Sequence, residues 1–272
     1  MRQTLIDVWV WTAIVVILLV GCPVAAVLRL VTAPFDPGRY VVGRFFRLMG
    51  VAAVKVNPYW RFSTDGVVVP DPRRPYVAVS NHESYADIFL ISHLPWEMKW
   101  MAKDALFRIP FMGWTMRLAG DIPVRRGARG SGAAALAACR DRLAKRVSVM
   151  IFPEGTRSKG GELLPFKDGA FALAVDVGAP ILPIVVAGTR HAMAKHSFRF
   201  RSAHAIARVL PPIPVEGLGP ADVPVLRDRV RTLIADERHR LERELGIRTE
   251  PVDADREPAP HDEITDEIGD VA

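Results

Sequence analysis

Tyr76-Val77-Ala78-Val79-Ser80-Asn81-His82-Glu83-Ser84-Tyr85-Ala86-Asp87 begins as an apolar run and ends with an imidazole and a carboxylate five residues apart. The first part reads as a strand, and the second as the turn from that strand into a helix. Seventy residues on, a second apolar run, Val147 to Phe152, passes into Phe152-Pro153-Glu154-Gly155-Thr156-Arg157-Ser158, a turn holding an acid, a glycine and an arginine. Strand-then-turn, met twice, indicates chemistry carried at the ends of strands.

Around these stretches, strand and helix patterns alternate. A strand-like segment covers 54–69, broken by Pro58 and by Asp65-Gly66, and the prolines at 70, 72 and 75 lead stiffly into Tyr76. Helices are predicted over 88–94, 111–118, 131–145 and 170–177, and strands over 99–103, 121–124, 148–152 and 181–186. The β-branched content of Ile181 to Val186 suits a sheet covered on both faces. Ala205 to Leu210 reads as an edge strand, and 221–245 as a charged surface helix ending at Gly246. The predicted fold class is therefore α/β, a mostly parallel sheet flanked by helices.

At 272 residues, half of them hydrophobic, the chain suits one substantial core. Its net charge of +6 is unevenly spread: Arg248 to Ala272 holds nine acids and two arginines, leaving +13 on the remainder. A body so basic attracts phosphate, as a nucleic acid, an anionic membrane face or a charged substrate. The chain has no zinc-ligand pattern, basic heptad or aromatic-basic RNA-binding motif, which argues against nucleic acid. Two cysteines, Cys22 and Cys139, make no disulfide framework and read as small packed residues in a reducing compartment.

Val8 to Leu28 is free of charge over 21 positions, long enough to span a bilayer, with Gly21-Cys22-Pro23 a point at which it would kink or turn back. Arg29, Arg39, Arg44 and Arg47 follow it, and only Arg2 precedes it, which places the body in the cytoplasm. Leu19-Val20-Gly21-Cys22 also resembles a lipoprotein attachment site, but an anchor is the reading adopted. In 39–53, Val41, Val42, Phe45, Phe46 and Met49 fall on one face and Arg44 and Arg47 on another, as in a helix lying on an anionic surface. The predicted organisation is an anchor and interfacial helix over 1–53, an α/β domain over 54–247 and an acidic disordered tail over 248–272.

If a helix starts after His82, Asp87 returns to the same side, fixes the ring tautomer and leaves the other ring nitrogen free to take a proton. A histidine that only caps a helix is the plainer alternative. In the second turn, Gly155 lets the backbone approach a ligand, Arg157 grips phosphate oxygens, and Thr156 and Ser158 add hydroxyls. Glu154 is expected to hold a substrate hydroxyl or to orient Arg157. Gly120-Asp121-Ile122-Pro123-Val124-Arg125-Arg126 delivers two guanidinium groups, one of which reaches the site because neighbouring strand positions face opposite ways. Pro183, within Ile181-Leu182-Pro183-Ile184, belongs to an acyl-chain wall or simply to the core.

These four blocks, in this order and spacing, resemble the glycerolipid acyltransferase superfamily, in particular the 1-acylglycerol-3-phosphate acyltransferases. The similarity covers roughly 50–215. It implies that His82 is the general base and Asp87 its partner, and that Gly120, Arg125 or Arg126, Glu154, Gly155 and Arg157 bind the acceptor and its phosphate. It also implies an N-terminal membrane-embedded helical segment. Pro123 departs from the usual aromatic or aliphatic residue, leaving Arg125 and Arg126 as alternatives.

The activity expected from the resemblance is acyl transfer from acyl-CoA or acyl carrier protein to the sn-2 hydroxyl of lysophosphatidic acid, giving phosphatidic acid. The thioester is a co-substrate, and no cofactor or metal is expected. Membrane lipids are the surroundings and the cytoplasmic face of the cell membrane the location. Two alternatives stand beside this one: the same chemistry on another lysolipid, including a lyso-ornithine lipid, and a non-catalytic lipid-binding protein. Hydrolysis of the thioester by water is a further possibility for the same base.

Overall fold

The computed structural model describes residues 2–69, 71–125, 130–158, 162–193 and 199–247. Two helices open the chain, α1 (Arg2–Thr32) and α2 (Tyr40–Lys55). Seven strands then alternate with five helices: β1 (Trp60–Gly66), β2 (Val77–Ser80), α3 (Ala86–Ile91), β3 (Met98–Lys103), α4 (Met112–Ala119), β4 (Ile122–Val124), α5 (Ser131–Ala144), β5 (Ser148–Ile151), α6 (Gly169–Val177), β6 (Ile181–Ala187), β7 (Ala203–Val209) and α7 (Val223–Glu244). The acidic segment 248–272 and Arg126 lie outside the described residues.

The strands form one sheet in the order β1-β7-β6-β2-β5-β3-β4, parallel throughout except for β6 against β7. Every residue of β2, β5 and β6 is buried, which is why their sequences run continuously apolar instead of alternating. Val77, Val79, Val149 and Val185 meet Cys139, Phe171 and Ile234 from α5, α6 and α7 on one face. Ala78, Met150, Ile184 and Val186 meet Leu90, Trp96 and Trp100 on the other. Because β2, β5, β3 and β4 run in one direction, the turns that follow them emerge along the same edge. Open α/β sheets bind ligands at that edge.

Three expectations change. The strand near Ala205 is not an edge: β7 lies between β6 and β1, and β1 takes the edge instead. Its alternating burial resembles a half-exposed strand because Arg208 points out from it, to Asp65, Glu237 and Glu244. The second change is at Gly21-Cys22-Pro23, where the chain does not turn back and α1 runs on through Pro23. Gly21 and Cys22 face inward there, and a Cβ on Gly21 would come 2.3 Å from Met49 Cε of α2, so the small residue allows the two helices to approach closely.

The third change concerns α2. Arg47 is buried, bonded to Asp121 and lying 3.5 Å from Glu97, while Arg44 donates to the carbonyl of Leu94 at 2.7 Å. These arginines turn toward the sheet end of the domain. Val41 and Leu48 are the exposed large apolar residues of α2, beside an α1 whose Val16, Val20, Val27 and Leu30 are exposed as well. Within α1, length and composition are sufficient to cross a membrane. The helix is nonetheless fastened to the body along its length, by Gln3 Nε2 to the Phe200 carbonyl at 2.7 Å, by Trp9 Nε1 to the Val56 carbonyl at 3.1 Å, and by the Gly21–Met49 approach.

Candidate active site

Two residues past β2, the chain turns under tight local control. Asn81 sends its side-chain amide to the Val186 carbonyl at 2.8 Å and accepts from the Val186 amide at 2.9 Å, clasping the turn to β6. His82 follows, its side chain only 12% exposed. Its Nδ1 lies 2.7 Å from Asp87 Oδ2, and the same oxygen accepts from the amides of Glu83 at 2.8 Å and Ser84 at 3.0 Å. Asp87 Oδ1 takes the hydroxyl of Thr189. A fully buried carboxylate surrounded by donors is an acceptor, so the imidazole proton belongs on Nδ1 and Nε2 carries the lone pair. Among the described residues, no hydrogen bond occupies Nε2. The ring is braced flat against Phe152, with centroids 4.0 Å apart and an angle of 17° between planes.

Phe152 opens the second turn, which folds back onto the first. The Ser158 amide donates to the His82 carbonyl at 3.1 Å, and the His82 amide donates to Glu154 Oε1 at 2.7 Å. The other oxygen of Glu154 accepts from the Leu164 amide at 3.0 Å. Glu154 is buried, which raises its carboxyl pKa, while the two amides pull it back. Both its oxygens hold backbone, so its role in this structure is to brace the two turns, and no contact joins it to Arg157 among the described residues. That role escaped the sequence reading because its partners are main-chain amides.

Arg157 spreads its guanidinium 3.9 Å from the centre of the Tyr85 ring, one residue before α3. Among the described residues no carboxylate pairs with it, so its charge is available to an anion. Gly155 has φ +71, and a Cβ there would fall 2.9 Å from Lys167 Nζ. The absence of a Cβ at Gly155 thus lets a second cation, exposed like Thr156, come close to the turn. Ser158 is buried and contributes its amide instead of an outward hydroxyl.

The third block divides. Arg125 follows β4 on the same sheet edge as His82, exposed, its guanidinium 3.4 Å from Asp104. Three strand spacings, roughly 14 Å, separate β4 from β2. Gly120 lies at the other end of β4, near the level of Val77, about 16 Å back along the strand direction from His82. It caps α4 with φ +84, and its carbonyl accepts from Arg142 Nε at 3.1 Å. That is a helix terminus, and Gly120 does not join the site. Pro183 is buried in β6 opposite Val79, a core position. Cys139 is buried too, and burial pushes its thiol to about 12, so it supplies no nucleophile.

A family model described as acyltransferase matches residues 64–187. The human protein named 1-acyl-sn-glycerol-3-phosphate acyltransferase beta is 38% identical over 193 residues, covering 68% of this chain and 69% of that one. This chain belongs to the 1-acylglycerol-3-phosphate acyltransferase family. The human alpha protein of that name is 43% identical over 162 residues, and the Arabidopsis thaliana chloroplastic one is 33% identical over 226 residues. The chain spans 57% and 60% of the lengths of those two relatives. A crystal structure titled as the 1-acyl-sn-glycerophosphate acyltransferase PlsC of Thermotoga maritima shares the fold, with a TM-score of 0.70 at 24% identity over 92% of this chain and 98% of that one.

The family match takes in both turns but stops short of Thr189, whose hydroxyl reaches Asp87. Sequence reading missed Thr189, Phe152 and Tyr85 as site residues. A trace of Thr189 was present in Gly188-Thr189 at the end of an apolar strand, once that strand is known to lie beside β2.

Proposed function

We propose that this chain is a membrane-bound O-acyltransferase that moves a fatty acyl group from the thioester of acyl-CoA or acyl carrier protein to the free sn-2 hydroxyl of 1-acylglycerol-3-phosphate, giving phosphatidic acid for phospholipid biosynthesis. The observation that carries this reading is the 2.7 Å contact of His82 Nδ1 with Asp87, which leaves Nε2 basic, in a turn bonded to the one that carries Arg157, a cation with no carboxylate partner among the described residues.

Nε2 takes the proton of the acceptor hydroxyl as its oxygen attacks the thioester carbonyl carbon. Asp87 stabilises the imidazolium that forms. The tetrahedral oxyanion then collapses, the carbon–sulfur bond breaks, and the imidazolium returns its proton to the leaving thiolate. Base catalysis of this kind is worth roughly 10²–10⁴-fold. Proton, acyl group and thiol all balance, so the step as written uses no metal or cofactor. Arg157, with Lys167 behind the same turn, supplies positive charge for the acceptor phosphate. Arg125, farther along the edge, suits an anionic portion of the donor.

The exposed apolar face of α1, continued by Leu48 of α2 and Trp114 of α4, supports seating the domain on a bilayer. Such seating brings a lysolipid acceptor to the sheet edge without leaving the membrane. We assign the cytoplasmic face of the cell membrane, on the basic residues Arg29, in the last turn of α1, and Arg39, just after it.

An acyl-transfer assay tests the acceptor. Membranes or mixed micelles carrying the protein are given an acyl-CoA or acyl carrier protein thioester with lysophosphatidic acid, lysophosphatidylcholine or lyso-ornithine lipid. Selective formation of phosphatidic acid, lost in Arg157→Ala, supports the reading. Equal use of acceptors lacking a terminal phosphate contradicts it.

A further inference from the structure

Asp87 lies in α3 and Thr189 in the turn after β6, 102 residues later, yet the Thr189 hydroxyl is bonded to Asp87 Oδ1. We propose that Thr189 is a positioning residue: it holds the Asp87 carboxylate, and through it the His82 ring, in the one orientation that presents Nε2 to the acceptor. This inference rests on the acyl-transfer reading above.

The two oxygens of Asp87 differ in how they are held. Oδ2 has three nitrogen donors, the ring and two amides. Among the described residues, Oδ1 has Thr189 as its donor, and both side chains are fully buried. Without the hydroxyl, a charged oxygen would lack its partner in a water-poor site, and the carboxylate would gain freedom to rotate about Cβ–Cγ. Rotation moves Oδ2 off Nδ1 and tilts the ring.

Thr189 is also placed with little freedom. Gly188 before it has φ +92, and a Cβ there would come 2.2 Å from the His204 carbonyl oxygen, so the turn requires glycine. On one side of the turn Asn81 clasps Val186; on the other the Ser84 hydroxyl donates to the Met193 carbonyl at 3.2 Å. The β2 and β6 turns are thus locked together at three levels, with Thr189 the middle one. A β-branched side chain narrows its own rotamers further.

A second carboxyl group lies against the same hydroxyl. Glu83 Oε2 lies 3.4 Å from the Thr189 hydroxyl, and Glu83 is itself held by Arg238 of α7 at 3.2 Å and Arg190 at 3.8 Å. A hydroxyl has one proton to give. The closer contact assigns it to Asp87, while Arg238 and Arg190 hold the other Glu83 oxygen, Oε1.

The test uses the full chain in membranes with an acyl thioester and lysophosphatidic acid, comparing Thr189→Val, Thr189→Ser, Asp87→Asn and the double variant Asp87→Asn/Thr189→Val, with His82→Ala as the control. Thr189→Val should lower kcat roughly 10- to 100-fold with KM for both substrates changed less than about twofold, as for loss of a hydrogen bond to a charged group. Thr189→Ser should return kcat to within about threefold of wild type. In the Asp87→Asn background, Thr189→Val should add little, because a residue acting through Asp87 has nothing left to position.

Wild-type kcat in Thr189→Val, an equal fall in Thr189→Ser, or effects that multiply in the double variant would each overturn the inference while leaving the base assignment intact. Wild-type protein without transfer, or His82→Ala at full rate, would overturn the acyl-transfer reading and this inference with it. If Thr189→Val melts below the assay temperature, Thr189→Cys, similar in size with a weaker donor, replaces it under the same criteria.

Discussion

The amide of His82 donates to the carboxylate of Glu154 at 2.7 Å, joining the turn after β2 to the turn after β5 by main chain on one side and a buried acid on the other. The second oxygen of that acid holds the Leu164 amide. Glutamine presents an acceptor to only one of these two amides and turns an NH2 donor toward the other. Glu154→Gln is therefore predicted to lower kcat about tenfold, and Glu154→Ala more, with KM for the acceptor changed less than kcat. Steady-state kinetics with varied acceptor checks both, and a pure KM effect would return Glu154 to a substrate-binding role.

Arg47 sits among Glu97, Asp121 and Lys99, all buried between α2 and the β3–β4 end of the sheet. Replacing Arg47 by methionine leaves two acids facing one ammonium in a dry environment. Removal of one partner from such a cluster costs on the order of 3–5 kcal/mol. Gly43→Ala strikes the same cluster, since its Cβ would lie 2.1 Å from Glu97 Oε1 and 2.3 Å from Lys99 Nζ. Both variants should unfold at markedly lower denaturant concentration in detergent, whereas Arg146→Met, at a surface pair, should not.

Burial lifts the carboxyl of Glu83 to about 7, even with Arg238 opposing the shift, while in the unfolded chain it titrates near its ordinary value of about 4.5. Between those two values the folded state binds more protons than the unfolded one, so stability falls as pH rises through the window and levels off above about 7. Arg238, Arg190, Asp87 and Glu242 are the charged groups bearing on it. Glu83→Gln should flatten this segment of the stability curve, an effect of a few kcal/mol at most, read by denaturant melts from pH 4.5 to 8. An unchanged slope would show that Glu83 titrates normally.

Val16, Val20 and Val27 of α1 are exposed, by 51%, 62% and 61%. Seated in lipid, each contributes roughly 1.5–3 kcal/mol relative to water. The pair Val16→Asp and Val20→Asp should release the protein from anionic vesicles in a sedimentation assay while leaving its circular dichroism unchanged. Retention on vesicles would mean that α1's outer face is not the lipid contact.

Much of the fold was readable because its central strands are buried on both faces, so Val77–Ser80, Ser148–Ile151 and Ile181–Ala187 appear as uninterrupted apolar runs. His82 and Asp87 were readable because both belong to one local turn. The misread features depend on distant partners. Nothing near Arg47 in the chain announces Glu97 or Asp121, so the helical pattern alone placed it on the outside. Strand order is also non-local, and β7 looked like an edge until β1, from far earlier in the chain, paired beyond it. Gly120 sits within a block rich in arginine, yet its left-handed backbone ends a helix at the far end of the sheet. Thr189 needs knowledge that β6 neighbours β2 before it has any meaning.

The central claim is that one ring nitrogen of His82 removes the acceptor proton. Its most direct test is the initial rate of phosphatidic acid formation by purified His82→Ala and wild-type protein, reconstituted at equal amounts with the same thioester and lysophosphatidic acid. The account predicts a fall of roughly 10²–10⁴-fold for the variant, with folding and vesicle binding retained. A variant that forms phosphatidic acid at close to the wild-type rate would contradict it.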